Sequence, residues 1–201
     1  ARWTEPAEDQ SRMAVARLHA PLLWKDWRLA ASAGTTRESR LGYFGLGNNT
    51  SFNSKLNTKS QPHYFEAMRT RYFGQGELSR RVKGPLWIAG AAGVECSNLS
   101  DLSGRSLFRT DNGTADLSDT DFRSRVTLVL DTRDNEFNTT RGVFGQASVA
   151  GGTGGGGYSR ATADLRGYLP VREGTVFALR VAGSTMSKRA PLNARYEMPS
   201  W

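Results

Sequence analysis

Residues 128–149 read Leu-Val-Leu-Asp-Thr-Arg-Asp-Asn-Glu-Phe-Asn-Thr-Thr-Arg-Gly-Val-Phe-Gly-Gln-Ala-Ser-Val. An apolar run ends in a charged cluster at Asp131, Arg133 and Asp134, and a second apolar-alternating run begins after Arg141-Gly142. Two runs of strand character separated by Asn, Asp, Thr and Gly predict two β-strands joined by a turn. Gly142 is the residue free to take a positive φ there.

The same pattern extends on both sides. In the run Ser159–Val171, residues Ala161, Ala163, Leu165, Gly167 and Leu169 share one face, and Arg160, Thr162, Asp164, Arg166 and Tyr168 share the other. In Thr175–Ser184, Phe177, Leu179 and Val181 oppose Ala178, Arg180 and Ala182. Strict period-2 alternation argues for strands with one apolar and one polar face. Pro170 and Gly174 bound a short turn between them. Further strand-like runs fall at 12–20, 26–36, 40–50, 63–82, 85–96, 122–132 and 142–152. That makes about nine strands in all, with helical spacing sustained nowhere. Residues 97–121 are rich in Ser, Asp and Asn without a clear period and read as a long loop; 151–157, Gly-Gly-Thr-Gly-Gly-Gly-Gly, reads as a flexible connection.

Composition agrees with an all-β chain. The 201 residues hold 22 Gly, 10% aromatics and 38% hydrophobic residues. No run approaches the ~18 apolar residues of a membrane helix, and the opening decapeptide has no apolar core of a signal peptide. Barrel strands cross membranes with a much weaker signal. Connections near 83–85, 134–141 and 170–174 are tight, whereas those near 48–62, 97–121 and from 186 onward are long. Such sorting is the habit of a transmembrane barrel rather than of a sandwich. Trp24, Trp27, Trp87, Tyr43 and Tyr168 sit near run ends, where an interfacial girdle would want them. In a closed barrel the polar face, with Arg160, Asp164, Arg166 and Arg180, looks into a wet lumen; on a soluble sheet the same residues would face solvent.

Other chemistries find little support. The formal charge is +8, but the arginines are spread singly along strand-like runs, so no basic arm for nucleic acid is formed. Cys96 stands alone, so the chain builds neither a disulfide framework nor a cysteine metal site. His19 and His63 are far apart, and no nucleophile–His–acid set can be composed. The Gly-rich 151–157 lacks the Lys-Ser/Thr of a phosphate-cradling loop. No enzyme activity, metal or cofactor is expected.

The stretch 128–149, followed by Tyr158–Ser184, resembles the bacterial surface-antigen domain of the BamA/TamA superfamily of outer-membrane barrels. That family carries a D-x-R-D-N…N-P-x-x-G hairpin and then a D-x-R-x-Y-x-P strand. Asp131, Arg133, Asp134, Asn135, Asn138 and Gly142 match the first element; Asp164, Arg166, Tyr168 and Pro170 match the second. Residues 42–50 resemble a Tyr-x-Gly-x-Gly-Asn segment near the start of such barrels. Thr139 stands where the family often has Pro.

The resemblance implies an antiparallel transmembrane β-barrel in the bacterial outer membrane, with about nine of roughly sixteen strands in this chain. Residues 1–11 would be a lead-in and 12–201 the N-terminal part of the barrel. The family's periplasmic POTRA repeats and its Arg-Gly-Phe/Tyr loop are not matched in these residues. The charged cluster becomes a periplasmic turn motif with a structural role. The first strand, near 12–20, becomes the seam strand, able to pair with an incoming strand. Implied partners are outer-membrane lipid and lipopolysaccharide, with client outer-membrane proteins or a membrane complex. The implied function is insertion or translocation of outer-membrane proteins. A structural or anchoring barrel without insertase activity, and a soluble all-β binding domain, remain as alternatives.

Overall fold

In the computed structural model, the described residues are 11–45, 50, 52–59, 61–102, 105–114, 116–187 and 189–195. Most of the lead-in (1–10), Leu46–Asn49 of the 42–50 motif and 196–201 lie outside them. Eight strands follow in order: β1 (Arg12–Trp24), β2 (Trp27–Gly42), β3 (Glu66–Lys83), β4 (Leu86–Asp101), β5 (Asp116–Asp131), β6 (Gly142–Gly152), β7 (Tyr158–Arg172) and β8 (Thr175–Met186). They form one sheet in sequential order, with β1 and β8 at its ends. The run read at 26–36 falls almost wholly in the continuous strand β2, whereas only residues 40–42 of the run read at 40–50 do. The alternation carries on through Arg37, Glu38, Ser39 and Arg40, which a strand accepts when its polar face has partners. Likewise, much of the loop expected at 97–121 is strand: β4 runs to Asp101 and β5 starts at Asp116. Ser97, Asp101, Asp119 and Asp121 take the parity of the polar face, with Glu95 and Arg123. Pro21 lies inside β1, which an edge strand tolerates because its missing N–H is not needed by a neighbour.

The chain divides into two compact units. The first comprises 1–16, 33–73 and 95–120. Its polar face carries a ladder of charge: Arg69 Nε donates to Glu38 at 2.7 Å, and Arg71 lies 3.7 Å from Glu38 and 3.9 Å from Glu95. Connections from β2 to β3 and from β4 to β5 fold onto each other. Helix α1 (Leu107–Asn112) is capped by Ser106, whose Oγ accepts from Arg109 N–H, and closed by Gly113 at φ 66°. Phe108 of this helix is fully buried, edge-on to Tyr43 at 5.5 Å, and Tyr43 Oη donates to Asp111. Tyr43 is thus a loop-core residue, packed by aromatic contact.

The second unit comprises 17–32, 74–94 and 121–201. It holds the four tight turns: Lys25-Asp26, Gly84-Pro85, 132–141 and Glu173-Gly174. Strands β5 to β8 pair antiparallel. Gly-rich 151–157 is a built turn rather than a slack connection. Asp121 accepts from Gly154 N–H at 2.9 Å and from Tyr158 Oη at 2.7 Å, and the Tyr158 ring fills the space a Cβ on Gly152 would need. After β8, Ala190, Leu192 and Ala194 are buried, and Arg160 Nη2 donates to the carbonyl of Ala194 in the short helix α2 (Leu192–Arg195).

The two faces of this unit differ as the alternation predicts. Leu165, Phe177 and Leu179 are 55%, 57% and 58% exposed, with no layer of the described residues over them, whereas Asp164 on the opposite face is 2% exposed. Val126, Leu128, Leu130, Val149, Leu169 and Val181 continue the uncovered apolar face. A contiguous apolar surface of this kind marks a membrane or interaction face.

Candidate functional site

The turn after β5 is held by its own side chains. Asp131 Oδ1 accepts from Arg133 Nε at 2.8 Å and from its backbone N–H at 3.1 Å, and Oδ2 accepts from Arg133 Nη2 at 2.7 Å. The fork–fork geometry fixes Arg133 against the strand end. Asp134 Oδ1 accepts from the backbone N–H groups of Asn135, Thr140 and Arg141 at 3.0 to 3.2 Å, and Oδ2 accepts from the Thr140 hydroxyl. That hydroxyl, with the three amides, holds the Asp134 carboxyl down at about 2, against an ordinary 3.8. Asn135 Oδ1 accepts from Phe137 and Asn138 N–H, and the Asn135 carbonyl accepts from the Thr139 hydroxyl. Asn138 therefore contributes its amide. Thr139, where the resembled family often has Pro, supplies a tie of its own. Thr132 and Val143 exchange backbone and side-chain bonds across the turn. Gly142 sits at φ 113°, and a Cβ there would meet the Thr132 carbonyl oxygen at 2.5 Å.

The second cluster is centred on Asp164. Arg166 Nη2 reaches its Oδ2 at 2.7 Å, and Arg180 reaches both oxygens, Nε to Oδ1 at 3.1 Å and Nη2 to Oδ2 at 2.9 Å. Arg166 and Arg180 face each other directly in the β7–β8 register. Like charges so placed repel, and the buried carboxylate between them offsets this. Arg160, grouped with these residues on the polar face, instead reaches Ala194, and its Nε has no hydrogen-bond partner among the described residues.

Phe144, not singled out by the sequence reading, joins the two motifs. Arg133 lies 4.7 Å and Arg166 5.2 Å from its ring centre. In the registers of β5–β6, β6–β7 and β7–β8, Asp131 faces Phe144, Phe144 faces Arg166, and Arg166 faces Arg180. The row thus crosses four strands on the polar face. The signal in the sequence was the parity of Phe144: it shares its face with Gln146 and Ser148, not with Val143 and Val149.

The aromatics separate by face. Trp24 and Trp27 meet edge-on at 6.4 Å, and Arg80 stacks on Trp27 at 5.3 Å. Trp27 shares its parity with Leu29, and Arg80 shares its parity with Leu78 and Val82, so this group stands on the apolar side, where a girdle belongs. Trp87 departs from the expected girdle. It lies on the polar face with Ala89, and the guanidiniums of Arg28 and Arg81 sit over its ring at 3.9 and 4.7 Å. Tyr168 alternates with Arg166 and Asp164 on that same polar face. The ring of Trp87 there contacts two guanidiniums, an attraction the indole face favours.

Among the described residues no group of His, Cys, Asp and Glu could hold a metal ion. Cys96 is exposed, with Thr120 Oγ1 at 3.7 Å from its sulfur.

An all-antiparallel sheet with one uncovered apolar face and one face of paired charge defines the class of transmembrane β-barrel sheets. The model of the Omp85 superfamily domain matches residues 29–197, and the chain belongs to that superfamily. The fold is similar to that of a solved structure, BamA from Haemophilus ducreyi lacking POTRA domains 1-3, with a TM-score of 0.59 and 14% sequence identity. The likeness covers 89% of this chain and 34% of that one, so the chain spans about a third of the protein it matches. No curated protein matches the sequence.

Proposed function

We propose that this domain forms part of a bacterial outer-membrane barrel that inserts or translocates outer-membrane proteins. The observation that carries the reading is the two-sidedness of β5 to β8 within an Omp85 superfamily chain. Aliphatic side chains stand uncovered on one side and a hydrogen-bonded Arg–Asp row lies on the other. The apolar side suits hydrocarbon, and the polar side suits an enclosed, wet lumen. In this reading the turn 132–141 lies at the periplasmic boundary, where charge costs little. Trp24, Trp27 and Arg80, at the same end of the sheet, meet the phosphates of the phospholipid headgroups there. Barrel strands of this kind act on clients by offering backbone hydrogen bonds to an incoming strand. The role needs no cofactor.

The test is client folding. The protein is reconstituted in vesicles, a urea-denatured outer-membrane protein is added, and folding is followed by the shift in gel mobility between unboiled and boiled samples. The proposal expects folding several times faster than in empty vesicles. Equal rates would end the insertase reading and leave a structural or anchoring barrel.

A further inference from the structure

The stacks over Phe144 and Trp87 look alike but differ in charge balance. Over Phe144, each guanidinium also has a carboxylate: Arg133 has Asp131, and Arg166 has Asp164. Over Trp87, neither Arg28 nor Arg81 has a hydrogen-bonded or ion-paired side-chain partner among the described residues. Asp131 acts on Arg28 through space, yet both of its oxygens are already engaged by Arg133. Glu77 is engaged by Arg125 at 2.6 Å. Two like charges held over one ring, with no hydrogen-bonded counter-ion among the described residues, repel each other, and the ring quadrupole compensates only in part. Both guanidiniums and Trp87 line a cavity of about 440 Å³ beside the Gly84-Pro85 turn.

The geometry points to a binding site for a carboxylate at Arg28, Trp87 and Arg81. A guanidinium fork matches the planar two-oxygen geometry of that group, and the indole offers apolar contact to the carbon behind it. The cavity wall also carries Glu77, Asp131, Asp134 and Glu136, the first three already hydrogen-bonded to Arg125, Arg133 and Thr140. Those charges repel a doubly charged phosphate more strongly than a singly charged carboxylate, so the smaller charge is favoured. The cavity volume suits a short peptide segment, whose carboxylate comes from an acidic side chain or a chain end. This site stands whether or not the domain is an insertase.

Isothermal titration of the protein in detergent micelles tests the assignment with four probes. They are N-acetyl-Gly-Gly-Phe with a free terminal carboxylate, the same peptide as its amide, N-acetyl-Gly-Glu-Gly amide, and inorganic phosphate. At least one carboxylate peptide is expected to bind about tenfold more tightly than the amide and than phosphate. Binding by the first alone assigns chain ends, and binding by the third alone assigns acidic side chains. Arg28→Gln and Arg81→Gln are each expected to weaken that binding about tenfold, and Arg28→Lys and Arg81→Lys to weaken it less. Retained heat-dependent gel mobility identifies folded variants, and the Lys variants serve if a Gln variant fails to fold. The assignment is overturned if the amide binds as well as the acid, if phosphate binds more tightly than either peptide, if nothing binds, or if folded Arg28 and Arg81 variants bind unchanged.

Discussion

Single residues carry much of the order in the second unit. Asp164 holds two arginines that face each other across β7 and β8. Asp164→Asn removes the charge and keeps the shape, so both guanidiniums lose their counter-ion. We expect a loss of about 2 kcal/mol in urea unfolding from micelles, below the cost of breaking a fully buried pair because Arg180 is half exposed. Removing Arg180 as well recovers part of that loss, which a double-mutant cycle would register. Gly142→Ala places a Cβ 2.5 Å from the Thr132 oxygen at a φ that side chains avoid; about 2 kcal/mol of destabilisation is expected in the same assay. Asp134 supplies a pH dependence. Its folded carboxyl sits at about 2 against an ordinary 3.8. A depressed carboxyl stabilises the turn above the unfolded value, and the contribution fades as pH falls from about 4 to about 2. Amide exchange at Thr140 and Arg141 is expected to quicken over that interval, and to lose the dependence in Asp134→Asn.

At the scale of the element, alternation made the strands legible. β6 spans the predicted 142–152, and β7 and β8 present the predicted faces, because each has residues of opposite character at alternate positions. Strand ends were less legible. Ser, Asp and Asn in β4 and β5 have turn propensity, but pairing with neighbours on a polar face overrides it. The turn motif could be read as structural from residue types alone; the share of the work done by Thr140 and the Thr139 hydroxyl could not. Phe144 was not singled out, and Trp87 was expected in a girdle, because the contact of a ring with two guanidiniums needs residues from other strands. The faces make a sharp prediction. Leu165→Arg puts a charge on the uncovered side and is expected to cost about 2 kcal/mol or more in refolding into phospholipid vesicles. Ala182→Arg, on the side of Asp164, is expected to cost less. Equal costs for the two variants would remove the membrane assignment of that face.

For the whole molecule, composition alone left a soluble sheet and a membrane barrel close together, because both alternate polar and apolar residues. What separates them is coverage. A soluble sheet buries its aliphatic side against a second layer, whereas Leu165, Phe177 and Leu179 are open in the structure. The protein carrying this domain is therefore expected to require detergent for extraction, and to migrate faster on a gel unboiled than boiled. Purification from membranes with and without detergent reads this directly.

The row from Asp131 through Phe144 and Arg166 to Arg180 has a consequence for assembly. Because side chains alternate, sliding any one of these strands by a single position would turn its charged or aromatic member toward hydrocarbon and strand its former partners. The row therefore favours the aligned register: a slip is penalised at whichever of the three successive joints it disturbs, and the aligned pairing satisfies all of them.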